Sequence, residues 1–131
     1  MLSSTRRGAR LARLLAADQL RTWELPEDVI ERAEHVVAEL AANAVFHSRV
    51  HGRDFRLGLT HDAAADLLRI EVTDARGDRR PGRRPNASPD AESGRGLLLV
   101  TAYADRWGTD DFPPSGKTVW AHITAPTAPA D

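Results

Sequence analysis

The chain of 131 residues carries 19 acidic and 18 basic side chains, a formal net charge of −1 at neutral pH, and no cysteine. That length suffices for one domain with a core of its own, and the absence of cysteine excludes both a disulfide framework and a thiolate metal site. A near-neutral balance lacks the basic footprint of a direct nucleic-acid binder, and no apolar run approaches a membrane span or the core of a signal peptide. The expectation is a cytoplasmic protein with no membrane or nucleic-acid partner. Only Lys117 among the basic residues is a lysine, a usage read here as genomic bias, although Arg6, Arg7, Arg10 and Arg13 do cluster near the start.

In chain order, residues 5–21 have helical spacing that predicts Leu11, Leu14, Leu15 and Ala16 facing inward. Leu25-Pro26-Glu27-Asp28 reads as a helix start, because Pro fits the first turn and acidic side chains favour the positive end of the helix dipole. The second helix is expected to run from there to about residue 48. Val36, Val37, Leu40, Ala41, Ala44 and Val45 give it a broad apolar face, bordered by a polar row, Glu39, Asn43 and His47, at i, i+4, i+8. For any one of these three, a neighbouring backbone partner is the commoner explanation. Burying an unpaired amide there costs about 2 to 7 kcal/mol and a charge more, so a ligand or metal ion is the other candidate partner.

Phe55 to Thr60 and Leu67 to Thr73 alternate as two antiparallel strands joined by a turn. Residues 74–93 are rich in Gly, Pro, Asp, Ser and Arg and have no periodicity, which predicts a long loop of the lid type. Gly94-Arg95-Gly96 then leads directly into a helical run from Leu97 to Ala104. Glycines before a helix start let backbone amides approach an anion, although such a pattern alone is weak. Asp105 to Thr109 and Lys117 to Thr124 read as two further strands, and residues 125–131 as a frayed tail. The order helix, helix, strand, strand, lid, helix, strand, strand predicts an α/β (α+β) two-layer sandwich. A mixed β-sheet would be covered on one face by three helices, in a single domain spanning 1–124.

Four stretches occur in an order that resembles one family. ELAANAVFH (39–47) is similar to its N box, EVTDARG (71–77) to its first glycine box, ESGRGLLLV (92–100) to its second and GKTVW (116–120) to its third. The family is the Bergerat-fold (GHKL) ATP-binding domain, the histidine kinase-like ATPase. Within it the chain most resembles small stand-alone anti-sigma factor serine/threonine kinase-like proteins of actinomycete type.

The resemblance implies ATP (or ADP) and Mg²⁺ as cofactors. Asn43 would hold the magnesium, and Glu39 would be the general base drawing a proton from an attacking hydroxyl. Asp74 would accept a hydrogen bond from the adenine amino group, the contact that selects adenine, with Thr118 supporting it directly or through water. Gly77 falls beside the nucleotide. Gly94, Arg95, Gly96 and Leu97 match the segment that surrounds the phosphates, and Lys117 is a second group within reach of them or an exposed strand-end lysine. His47 aligns with a common histidine of the N box, its role open between ligand-related and structural. The implied partners are an anti-anti-sigma-like protein and/or a sigma factor, with homodimerisation. One departure is visible: Arg76 and Asp78 stand where the first glycine box has glycines. That degeneration favours a rival reading, a non-catalytic module that binds nucleotide only to set a partner surface.

Overall fold

The computed structural model describes residues 1–47, 54–74, 99–112 and 116–125, with the side chains of Phe46, His47 and Phe112 excepted. Its elements are β1 (Leu2–Ser3), α1 (Arg6–Thr22), α2 (Glu27–His47), β2 (Asp54–Asp62), β3 (Leu67–Asp74), β4 (Arg106–Phe112) and β5 (Gly116–Thr124), with residues 99–103 also helical. The strands form one sheet in the order β1-β2-β3-β5-β4. All four pairings are antiparallel, so the sheet is not the mixed one expected. The two-layer α+β architecture itself is the expected one.

The sheet face that meets the helices follows from the strand period of two. Phe55, Leu68, Ile70, Val72, Val119, Ala121 and Ile123 are buried there and meet Val29, Ile30, Ala33, Val36, Val37, Leu40 and Ala41 of α2. Val100, from the helical stretch 99–103, belongs to the same core.

Helix α1 departs from its expected orientation. Thr5 caps it, accepting from the Gly8 amide at 3.0 Å. The residues it buries are small, Gly8, Ala12, Ala16 and Ala17, with Leu20 the one large exception. Leu11, Leu14 and Leu15, expected inside, are 44%, 51% and 49% exposed. The reason is close approach: a methyl added at Gly8 would overlap the Ser3 carbonyl oxygen of β1, so α1 lies against its neighbours through its narrow side.

On the opposite sheet face, polar side chains pair around Arg69. Arg69 pairs with Glu71 through Nε at 2.6 Å, donates from Nη1 to His122 Nε2 at 3.0 Å, and lies 4.9 Å over the Trp120 ring. Burial first, then the charges of Arg69 and Arg106, hold the His122 imidazolium below the ordinary histidine range. At the far end of α2, Arg32 donates from Nε to the Tyr103 carbonyl at 3.0 Å and pairs with Asp105 at 3.3 Å. The other Asp105 oxygen accepts from the Thr124 amide at 2.7 Å. That backbone hydrogen bond, more than the arginine, keeps the carboxyl below its usual range against the opposing effect of burial. His35 and Tyr103 stack beside this junction, rings 4.3 Å apart and 6° from parallel.

Candidate functional site

Where α2 crosses the ends of β3 and β5, a small pocket opens between the layers. Its walls are Leu40, Asn43 and Ala44 from α2, Val72 and Asp74 from β3, and Lys117 and Val119 from β5. Each position follows from a period. Asn43 lies three residues beyond Leu40, so both point down the same side of the helix. Asp74 falls two residues beyond Val72, and Lys117 two before Val119, so they share the core face of their strands. The ladder sets Asp74 directly opposite Lys117. The result is an apolar floor of Leu40, Ala44, Val72 and Val119 carrying one amide, one carboxylate and one ammonium. The cavity is small, about 10 Å³, so what it shows is the lining, apolar walls with three polar groups at their edge.

The motif residues are thus partly brought together. Asn43 and Asp74 meet at this pocket, both half-buried. Glu39 is half-buried one turn earlier on the same side of α2, beyond the residues that form the walls. His47 closes α2. Thr118 is not brought to the pocket. Its register partner is Thr73, and the two hydroxyls are 2.8 Å apart in a buried contact one residue away from the Asp74–Lys117 pair. By strand alternation that contact braces β3 to β5 on the far side of the sheet. Lys117, in contrast, is a wall residue. The alternation that sends Val119, Ala121 and Ile123 inward sends Lys117 with them, a signal present in the sequence. Gly77, Gly94, Arg95, Gly96, Leu97 and the loop 75–93 lie outside the described residues.

A magnesium ion fits the donor set of this pocket only as a shared ligand. Among the described residues no group of three or more His, Asp or Glu side chains could enclose a metal. A single amide oxygen at the mouth, with most of the ligands supplied by phosphates and water, suits the hard oxygen chemistry of Mg²⁺.

The family model of the histidine kinase-like ATPase domain matches residues 2–123. The chain belongs to that family. Membership implies a nucleotide as the ligand of the domain. In fold, the histidine kinase-like domain is similar to the crystal structure of the RsbU and RsbW domains of Rv1364c from Mycobacterium tuberculosis. The TM-score is 0.66 at 19% identity, over 99% of this chain and 33% of that one. The chain therefore spans about a third of the length of that protein. No curated protein matches it in sequence.

Proposed function

We propose that this domain is an ATP- and magnesium-dependent regulatory protein of the anti-sigma-factor serine/threonine kinase type. The observation that carries the reading is the convergence of Asn43 and Asp74, from two different motifs, on one apolar pocket. Adenine would stack on Leu40, Ala44, Val72 and Val119 while its amino group donates to the Asp74 carboxylate. Guanine presents an acceptor at that edge, which faces the carboxylate unfavourably. Lys117, opposite Asp74, supplies a positive charge at the mouth for phosphate oxygens. Asn43 would hold the magnesium ion, which neutralises charge on the phosphates when bound.

In the transfer step a partner's serine oxygen attacks the γ-phosphorus, the bond from that phosphorus to the bridging oxygen breaks, and ADP leaves. Glu39 takes the serine proton. The partner would be a small anti-anti-sigma-like protein, and its modification would exchange a sigma factor on and off the domain. A second copy of the chain would complete the assembly. The rival, a nucleotide-dependent binding module without transfer, is favoured by one specific feature, Arg76 and Asp78 at glycine positions of the first box.

Calorimetric titration with ATP plus magnesium, with GTP, and with the Asp74→Asn variant tests the pocket. ATP should bind and GTP should not, and the variant should lose about 1 to 3 kcal/mol, the cost of leaving a buried partner unpaired. Absence of ATP binding would overturn the reading. With binding established, phosphate transfer to a candidate partner that vanishes in Glu39→Ala selects the kinase. Binding without transfer to any partner selects the module.

A further inference from the structure

The sheet face turned away from the helices sets three basic side chains in one row. Arg69 of β3 and Arg106 of β4 both stand directly opposite His122 of β5, one on each side, so all three rise from the same face. The next row centres on Trp120, with Glu71 and Gly108 as its neighbours. A methyl added at Gly108 would come within 2.6 Å of Trp120 Cζ2, so the indole leans across β4 and is held close to it. The Arg69 guanidinium lies over this indole, 4.9 Å from its centre, and the His122 ring lies 4.6 Å from it at an angle of 38°. One aromatic ring thus has a cation over it and a titratable ring beside it.

The hydrogen bond between Arg69 and His122 fixes the state of the imidazole. A guanidinium only donates, so the 3.0 Å contact from Arg69 Nη1 makes His122 Nε2 the acceptor and leaves the ring proton on Nδ1. A second proton on this ring can go only to Nε2. There it would point at another N–H and set two positive charges in contact, so the contact has to open. His122 has little room to retreat, because Arg106 flanks it on the other side and Trp120 lies beside it along the strand. Arg69 has an exit. Its Nε is anchored on Glu71 at 2.6 Å, and the β2 residues beside Arg69 and Glu71 are Thr60 and Gly58, which leave space toward that edge.

We propose that His122 is a proton-driven switch on this open face: when its ring takes a second proton, Arg69 leaves the Trp120 indole, keeps Glu71 and swings toward β2. The imidazolium then takes over the attraction to the indole, since a ring face attracts a cation whichever residue carries it. The surrounding charges set where the exchange falls. Arg69 from β3 and Arg106 from β4 oppose the proton, and burial opposes it more, so the exchange comes below the ordinary histidine range. The acids nearby are engaged elsewhere. Glu71 holds Arg69, Asp105 holds Arg32 and the Thr124 amide, and Asp62 of β2 accepts from the Ala64 and Ala65 amides. Asp110 of β4 lies two rows away, opposite Thr118. Neutral pH therefore keeps Arg69 on the indole, and acid replaces it. The switch is independent of the nucleotide reading, because Asp74 and Lys117 belong to the other face of the sheet.

The test is an NMR pH titration of the isotope-labelled full chain, from neutral pH down through and below the ordinary histidine range. The His122 ring carbons report its protonation, and nuclear Overhauser contacts between the Arg69 side chain and the Trp120 indole report the exchange. Those contacts should vanish with the midpoint of His122, while the backbone amides of β3 and β5 keep their folded signals. In His122→Gln the contacts should persist over the whole range, since that side chain takes no proton. Arg69→Met is the second variant, and it should raise the His122 midpoint toward the ordinary histidine value. Contacts that survive the protonation of His122, or that are lost equally in His122→Gln, overturn the proposal. So does a loss that coincides with global unfolding, or a His122 midpoint that Arg69→Met leaves unchanged.

Discussion

The two long helices solve the same packing problem in opposite ways. Helix α2 turns its large apolar side chains, Val29, Ile30, Val36, Val37 and Leu40, onto the sheet and keeps the polar Glu39 and Asn43 at the border. Helix α1 turns in Gly8, Ala12, Ala16 and Ala17 and leaves Leu11, Leu14 and Leu15 at about half exposure. The difference shows that an apolar residue on a helix does not declare its own direction. What decides is how near the neighbouring backbone comes. A sheet receives large side chains, whereas the tight approach of α1 to β1 admits small ones, with Leu20 near the far end of α1 the large exception.

This contrast is easily broken by mutation, and the sharpest break is in α2. Leu40→Ala should cost about 2 to 5 kcal/mol in urea unfolding, because Leu40 is 1% exposed and forms part of both the core and the pocket floor. Nucleotide binding should weaken with it. In α1 the expected damage comes from enlarging a residue. Ala16→Leu, at a position with no exposure, should cost about 1 to 3 kcal/mol through overpacking, read as a lower midpoint at unchanged slope.

A smaller effect concerns two charged groups of the sheet, His122 and Asp105. The His122 pKa is lowered, so the unfolded chain binds more protons as pH falls through the ordinary histidine range, and stability should decline there on acidification. His122→Gln should flatten that part of the curve. The Asp105 pKa is lowered too, so its contribution is complete above the ordinary carboxylate range and is lost as pH drops below it. Asp105→Asn should remove that second, more acidic decline. Least of all should happen at Leu14→Ser: despite the loss of a leucine, stability should stay within about 0.5 kcal/mol, since the side chain is 51% exposed. A loss comparable to that of Leu40→Ala would mean that α1 does not present its leucines outward.

The elements themselves were largely readable. Helix α2 begins where Pro26, Glu27 and Asp28 mark its start, and its apolar face is unbroken. The β2–β3 hairpin has the register that its alternation demands. Strand β1 was not anticipated, since two residues carry no periodicity. The orientation of α1 was misread because spacing locates a stripe of leucines but does not say which stripe is covered. At the pocket, Asn43 and Asp74 announce themselves through motifs, while the inward turn of Lys117 and the outward turn of Thr118 depend on the strand period. The antiparallel pairing of all the described strands was not legible, because strand order is a property of the whole chain.

That order also constrains how the chain can be made. Strand β5 is the last of the five to leave the ribosome, yet it lies between β3 and β4. During synthesis β2 and β3 can close as a local hairpin, but the inner edge of β3 stays bare until residues 116–124 emerge, and β4 has nowhere to dock before then. Leu68, Ile70 and Val72 therefore spend the whole of translation of the intervening segment beside an unsealed edge, at about 5 to 20 residues per second. The nascent protein passes through a stage open to intermolecular strand pairing, and its yield in the cell should depend on chaperone capture more than the stability of the finished fold would suggest.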